Sequence, residues 1–181
     1  FQDALDQAVI VSITDTEGII NHVNDKFSKI SGYSKNELIG KNHSIVNSGY
    51  HDHQFFETLW NTISQGKIWR AEIRNKNKQG NYYWVDSVIV PLLNEKKEIS
   101  QYLTICYEIT ERKQVETALR ESEARYSLLA ALSPVGIFRT DVDGKCIYVN
   151  EKWQYISGLS QQEALGDGWL KAVYFEDVEV R

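Results

Sequence analysis

The sequence predicts an α+β fold in which a five-stranded antiparallel sheet carries short helices on one face. Over residues 1–110, segments with strand or helix patterning follow in the order strand, strand, short helices, helix, strand, strand, strand. The segment from Thr14 to Gly40 also recurs without a gap 126 residues later, as Thr140 to Gly166. One module has therefore been duplicated in tandem, and residues 131–181 are expected to be the N-terminal half of the second copy.

Each copy opens with a predicted β-hairpin. In the first copy, Val9 to Ile13 alternates as a strand does, Asp15 to Gly18 supplies turn residues, and Ile19 to Val23 forms the second strand. Asn24 is well placed to cap the short helix that follows, and Gly32 is expected to end it.

Two further helices are predicted before the last three strands. Ser34 to Glu37 has the spacing of a capping box, and Ser160 to Glu163 repeats it in the second copy. A longer helix, terminated by Gly66, presents one apolar face made by Phe56, Leu59, Trp60 and Ile63.

The last three strands are predicted over 68–75, 81–90 and 98–109, with Pro91 closing the second of them. On the first of these strands, alternation places one set of side chains on the inner face, namely Trp69, Ala71, Ile73 and Asn75. A buried carboxamide needs a hydrogen-bond partner. For Asn75 this is the following turn, a neighbouring backbone group or a ligand lying between sheet and helices.

Composition limits the functions to be considered. A net charge of -5 and a pI near 5.4 argue against nucleic acid as the main partner. No apolar run approaches the length of about 20 residues that a membrane span needs. Cys106 and Cys146 show no metal-ligand spacing and favour a reducing, cytoplasmic location. Because no catalytic motif is present, we expect a regulatory fragment rather than an enzyme.

From Val9 to Lys113 the chain resembles PAS sensor domains. The resemblance is carried by VNDKFSKISGYSKNELIGKN, FFETLWNTISQGKIWRAEIRNKNKQGNYYWV and the closing EITERK, in which Glu108 replaces the aspartate of the family's Asp-Ile-Thr signalling motif. Within the superfamily the chain is most similar to the FAD-binding, redox-sensing PAS domains of bacterial aerotaxis receptors and of the nitrogen-fixation regulator. This resemblance implies FAD as the cofactor and sensing of redox state or oxygen as the function.

The same resemblance implies a set of cofactor-binding residues: Asn75, Trp69, Trp60, His43, Asn47, Ser48 and Asn24. The amide of Asn75 offers the donor and the acceptor that the pyrimidine edge of an isoalloxazine ring requires. Trp69 lies about 20 Å from Asn75 along an extended strand, so contact with both favours FAD over the shorter FMN. Asn24 fits helix capping as well as it fits a cofactor role.

Light-sensing LOV domains share the fold, but His43 replaces their reactive cysteine in Gly40 to His43, so no cysteinyl-flavin adduct can form and light sensing by that route is not expected. Two alternatives to FAD stay open. The first is a cofactor-free PAS module for dimerisation and relay. The second is a haem gas sensor, because the chain contains four histidines, His22, His43, His51 and His53.

Residues 111–130 are predicted to form a helical linker. Apolar positions recur in steps of four and three at Val115, Leu119, Ser122, Tyr126 and Leu129. This pattern predicts a coiled-coil-like homodimer, or alternatively a single helix packed on a sheet. The linker is expected to pass the signal to a downstream histidine kinase or diguanylate cyclase outside this chain. For residues 134–181 we expect partial disorder or packing against another chain, since isolated hairpins are marginal in water.

Overall fold

The computed structural model describes residues 8–173 and divides into two compact units, with the division between Val115 and Glu116. The first unit confirms the predicted α+β architecture. Its strands pair antiparallel in the order β2-β1-β5-β4-β3. They are β1 (Ile10–Thr14), β2 (Ile20–Val23), β3 (Trp69–Lys76), β4 (Tyr82–Leu93) and β5 (Ile99–Glu108).

The helices of the first unit lie between β2 and β3 in the chain. They are α1 (Asp25–Ser31), α2 (Lys35–Leu38), a 3-10 turn (His43–Val46) and α3 (His53–Ser64). Asn24 caps α1 as predicted, accepting the backbone N–H of Phe27 at 3.0 Å. Gly32 ends that helix with a φ of 71°, a left-handed conformation that glycine adopts without strain. The Ser34 to Glu37 capping box is also present.

Strand β4 corrects one prediction, because it continues through Pro91 to Leu93 instead of closing at Val90. Pro91 lacks an N–H and cannot complete a ladder on both sides. At this point β4 pairs only with β5, where Pro91 lies opposite Tyr102, since the pairing with β3 ends at Ile89. The end of β4 is thus a local sheet edge, where a proline is tolerated.

The core of the first unit consists of two apolar clusters against the sheet. One lies under α1 and α2 and contains Ile20, Phe27 and Leu38. The other lies under α3 and contains Leu59, Ile63 and Trp69. The space between the clusters, above the middle of the sheet, is the region in which the sequence predicted a ligand.

A 23-residue helix, α4 (Thr110–Leu132), confirms the predicted linker helix. Its apolar stripe is exposed: the solvent-exposed fractions of Val115, Leu119, Tyr126 and Leu129 are 64%, 59%, 47% and 64%. Within residues 8–173 no helix is long and apolar enough to cross a membrane.

The second unit repeats the beginning of the first. It contains β6 (Phe138–Thr140), β7 (Cys146–Val149), α5 (Glu151–Ser157), α6 (Gln161–Ala164) and a 3-10 turn (Gly168–Ala172). Cys146, Val149 and Ala164 form a small core. For residues 134–181 the sequence led us to expect partial disorder or packing against another chain. Over 134–173 the structure describes these folded elements. Residues 174–181 lie outside the described residues.

Candidate ligand-binding site

A cavity of about 230 Å³ lies between the sheet and the helices of the first unit. Most of its wall is apolar, and it includes Phe27, Leu59, Ile73 and Val85. Polar groups interrupt this wall at a few places, which is typical of small-molecule sites. They are Thr14, Asn42, His43, Ser44, Asn47, Asn75, Ser87 and Thr104.

Asn75 lies at one end of the cavity, on the inner face of β3 as alternation predicted. Its partner in the β3–β4 ladder is Tyr83, and the neighbouring Asn75 side chain offsets part of the effect of burial on the phenol. Burial raises the pKa of Tyr83 well above its ordinary value, so the phenol stays protonated. Asn75 also forms an isolated β-bridge with Asn47, directly after the 3-10 turn, and hydrogen bonding of its carboxamide to a ligand stays a prediction.

His43 lies beside the cavity at the start of the 3-10 turn. Its Nε2 is 3.1 Å from the Ser12 hydroxyl, and the ring meets Phe27 edge-on with centroids 5.5 Å apart. Burial lowers the pKa of His43 to about 4, so the imidazole is neutral at pH 7. A neutral imidazole offers one donor and one acceptor, and Ser12 uses one of them.

The floor of the cavity carries a serine and a cysteine that sequence reasoning did not select as site residues. Ser87 Oγ of β4 and Cys106 Sγ of β5 are 3.2 Å apart, and both residues are buried. Burial raises the pKa of the Cys106 thiol to about 11, so the sulfur is protonated and weakly nucleophilic. These cavity residues could have been found from the sequence, because Ser87 and Thr104 are small polar residues at inward positions of otherwise aliphatic strands.

Two aromatic rings and a glycine form the opposite end of the cavity. Trp60 of α3 meets Tyr102 of β5 edge-on with centroids 5.9 Å apart. Gly18 has a φ of 81°, and a β-carbon at this position would come within 3.1 Å of the Trp60 ring. A larger residue at position 18 would therefore displace the indole.

The structure brings four of the predicted cofactor-binding residues to the cavity wall: Asn75, His43, Asn47 and Trp60. Trp69 does not line the cavity; it packs in the α3 cluster with its ring edge-on to Phe55 at 5.3 Å. The Ser48 hydroxyl donates to the carbonyl of Arg74 at the edge of the sheet. Ser48 and Trp69 thus lie behind the wall, and their contact with a cofactor stays a prediction.

Asn24 also lies away from the cavity wall. Its Oδ1 accepts the N–H groups of Val11 and Phe27, and its Nδ2 donates to the carbonyl of Val9 at 2.7 Å. These bonds tie β1 to the start of α1. An indirect effect of Asn24 on ligand binding, through the position of β1, is compatible with this arrangement.

The histidines do not assemble a metal site. Among residues 8–173 there is no group of three or more His, Cys, Asp or Glu side chains that could hold a metal ion. His53 instead pairs with Glu57 at 3.3 Å on the surface of α3, and His22 is exposed on β2.

Comparison with known proteins agrees with the architecture. The family profile described as PAS domain matches residues 6–111, more than half of the chain, and the profile described as PAS fold matches residues 124–173. Among solved structures, the PAS domain of a protein from Colwellia psychrerythraea superposes with a TM-score of 0.53 at 29% identity, covering 61% of this chain and 94% of that one. An RNA-binding light-oxygen-voltage receptor, at 20% identity, shares the fold with a TM-score of 0.60 over 68% of this chain and 36% of its own.

Curated relatives include two bacterial signalling proteins. The aerotaxis receptor of Escherichia coli is 36% identical over 100 residues, which are 55% of this chain and 20% of that receptor. The nitrogen fixation regulatory protein of Klebsiella pneumoniae is 26% identical over 143 residues, which are 79% of this chain and 29% of that protein. The chain thus spans less than a third of these two relatives. With a matching family profile, the predicted sheet topology and a cavity above the sheet, the chain belongs to the PAS domain family.

Proposed function

We propose that the first unit is an FAD-binding sensor of redox state or oxygen, located in the cytoplasm. The observation that carries this proposal is the cavity itself, in which the carboxamide of Asn75, beside Tyr83, lies at one end and Trp60 and Tyr102 form the other. The carboxamide suits the pyrimidine edge of a flavin, and the apolar wall suits its ring system. Sensing by a flavin needs no protein nucleophile, which agrees with the protonated thiol of Cys106.

Similarity to the aerotaxis receptor and the nitrogen fixation regulatory protein supports the same proposal. In such a site Asn75 would hold the ring edge, and His43 with Ser12 would lie within reach of a polar atom of the ring. FAD rather than FMN is proposed from the resemblance to FAD-binding PAS domains alone, because Trp69, whose contact would have favoured the longer cofactor, does not line the cavity.

The output of the sensor would pass through α4. Glu72 on β3 binds both Arg112 and Lys113 at the start of this helix, at 2.6 Å and 2.5 Å. The hydroxyl of Thr110 accepts the N–H of Trp84 on β4 at 3.0 Å. A change in the position of β3 or β4 would therefore reach the helix directly, and the effector that receives it, a histidine kinase or a diguanylate cyclase, is expected outside this chain.

The chain is further proposed to form a homodimer through α4. Its stripe of Val115, Leu119, Tyr126 and Leu129 is about half exposed or more along the helix. A second copy of the same helix would cover this stripe in a parallel coiled coil. Sedimentation of the wild-type chain and of Leu119→Arg tests this, with a monomeric wild type as the result that contradicts it.

A cofactor-free relay module is the second candidate. The cavity of about 230 Å³ lies below the usual range of roughly 300 to 1,000 Å³ for small-molecule pockets, which favours this alternative. An absorption spectrum of the purified protein separates the candidates, because flavin and haem have distinct visible bands and a relay module has none. Chromatography of the released cofactor then distinguishes FAD from FMN. A colourless protein that stays colourless after incubation with FAD would contradict the flavin proposal.

A further inference from the structure

The loop over residues 47–51 covers the free edge of β3 next to Asn75. Strand β3 is an edge strand, so the outward N–H and C=O of Arg74 have no strand partner. Both are nevertheless bonded: the Ser48 hydroxyl donates to the Arg74 carbonyl, and the Arg74 N–H donates to Nε2 of His51 at 3.0 Å. Asn47, in the same loop, forms an isolated β-bridge with Asn75.

The bond from Arg74 to His51 defines the protonation state of the imidazole. A backbone N–H can only donate, so Nε2 must present a lone pair and the ring must be neutral, with its proton on Nδ1. An imidazolium would carry protons on both nitrogens and would place a donor against a donor. The contact therefore exists only when His51 is deprotonated.

The surroundings of His51 are mainly aromatic and favour the neutral ring. The ring of Phe55 on α3 stacks on the imidazole with centroids 4.1 Å apart, and Trp84 on β4 meets it edge-on at 6.1 Å. Tyr50 in the loop and Phe56 on α3 are also edge-on to it.

Two charged groups lie near this ring. Asp52, the next residue, favours the protonated form, and Arg74 on β3 places its guanidinium 5.2 Å over the Tyr50 ring. Burial outweighs Asp52 and lowers the pKa of His51 from its ordinary value. His53, at the start of α3, is engaged by Glu57 instead.

We propose that neutral His51 is a positioning residue that latches the loop 47–51 onto β3 and thereby holds Asn47 and Asn75 at the end of the cavity. Protonation of His51 replaces the acceptor by a donor, detaches the loop and opens this end. The latch is fully closed above the ordinary histidine pKa of about 6.5, and because the pKa of His51 in the closed loop is lowered, it weakens below 6.5 and opens as the pH falls through that lowered pKa.

The N–H of Arg74 reports directly on the latch. Its hydrogen-exchange protection, measured by NMR relative to an unstructured amide, should fall about tenfold between pH 7.5 and pH 5 in the wild type. His51→Gln supplies a carbonyl acceptor that does not titrate, so protection should be retained and independent of pH. His51→Ala should lower protection about threefold to tenfold at pH 7.5 and also remove the pH dependence.

His53→Gln is the matched control, because it removes a nearby histidine that does not bond to Arg74, and it should behave as the wild type. Protection of Arg74 that is independent of pH in the wild type, or unchanged in His51→Ala, would overturn the latch. A pH dependence that persists in His51→Gln would assign the proton to another group and overturn it as well.

The effect of the latch on cofactor retention rests on the flavin proposed above. With flavin bound, the rate of its release should rise between pH 7.5 and pH 5 in the wild type and stay constant in His51→Gln. The same pH dependence of the release rate in both proteins would contradict an effect of the latch on cofactor retention. A protein that binds no flavin would end the flavin proposal, whereas the exchange of the Arg74 amide would still test the latch.

Discussion

The two copies of the module share a framework and differ at the cavity. Asn150 repeats the bonds of Asn24, accepting the N–H groups of Ile137 and Trp153 at 2.8 Å and 2.9 Å, while its Nδ2 donates to backbone carbonyls. The bond from Asn150 Nδ2 to the Val135 carbonyl repeats the bond from Asn24 to Val9, whereas the bond to the Ala130 carbonyl at the end of α4 is additional. The capping box recurs at Ser160, where the hydroxyl also accepts the N–H of Glu163 at 3.3 Å.

At the cavity the copies diverge. The offset of 126 residues places Phe138 at the position of Ser12 and Trp169 at the position of His43. In the first unit this pair is a polar contact of 3.1 Å, whereas in the second unit the two rings stack with centroids 5.6 Å apart. The shared caps are therefore retained where this pair differs, and the polar pair of Ser12 and His43 is particular to the first copy.

Asn24→Ala is expected to have the largest effect on the shared framework. It removes the hydrogen bonds to the backbone of Val9, Val11 and Phe27 and leaves these groups without that partner, so the free energy of unfolding of the first unit should fall by about 3 kcal/mol. Asn150→Ala should do the same to the second unit. Hydrogen exchange on peptides from each unit measures the two effects separately.

Asn61→Ala, the same change on the exposed face of α3, is the control and should have little effect. Equal exchange in Asn24→Ala and wild-type peptides would show that the cap is dispensable.

The two units should differ in how their stability depends on acid pH, because His43 of the first unit titrates and Trp169 at the matching position of the second does not. The pKa of His43 is about 4 in the folded protein and about 6.5 when unfolded, so the folded state binds fewer protons in between. Its contribution is fully present above about pH 6.5 and declines as the pH falls through 4. The first unit should lose about 3 kcal/mol over this window through His43.

The free energy of unfolding in urea is measured for the wild type and for His43→Gln between pH 7 and pH 4. The difference between the two proteins gives the contribution of His43, because the titration of the carboxylates is common to both. His22→Gln removes an exposed histidine and should leave the profile unchanged. Identical pH profiles for the wild type and His43→Gln would contradict the burial of a neutral imidazole.

Local sequence patterns predicted most of the framework. The caps at Asn24 and Ser34 and the inward position of Asn75 follow from short-range rules, and the structure confirms them. The end of β4 was mispredicted at Pro91. A proline is excluded from a strand only where the strands on both sides are hydrogen-bonded to it, and which positions have one free side depends on the order of the strands in the sheet.

The missed parts of the site depend on contacts between distant segments. Ser12 and His43 are 31 residues apart, and Tyr83 reaches Asn75 only through the register of β3 with β4. Alternation placed Trp69 and Asn75 on the same face, yet one packs under α3 and the other lines the cavity. Parity gives the face of a strand, and the packing of helices on that face decides which positions border a cavity.

Asn75→Ala tests the cavity without disturbing the framework. It removes the carboxamide that faces the proposed ring, so flavin affinity should fall by about 1 to 3 kcal/mol, which is roughly 5-fold to 150-fold in the dissociation constant. Flavin content after gel filtration and the dissociation constant from titration measure this. Asn81→Ala, an exposed asparagine in the following turn, is the control. Unchanged flavin occupancy in a folded Asn75→Ala protein would remove Asn75 from the site.

The smallest effect is expected at the capping boxes, which occur at matching positions in the two copies. The Ser34 hydroxyl lies 2.9 Å from Glu37 Oε2, and that of Ser160 lies 2.6 Å from Glu163 Oε2. Ser34→Ala and Ser160→Ala should each lower the free energy of unfolding of their own unit by about 0.5 to 1 kcal/mol.

Hydrogen exchange of α2 and α6 resolves these two changes, with Asn36→Ala and Gln162→Ala as controls at exposed positions inside the boxes. Equal losses would confirm that the framework is energetically the same in both copies. A loss confined to Ser34→Ala would show that the capping box depends on the complete sheet beneath it, since only the first unit has all five strands among the described residues. The stability of α2 would then depend on the same sheet that lines the cavity. Replacing the polar pair of Ser12 and His43 by the aromatic pair of the second copy would in that case also be expected to lower the stability of the first helices.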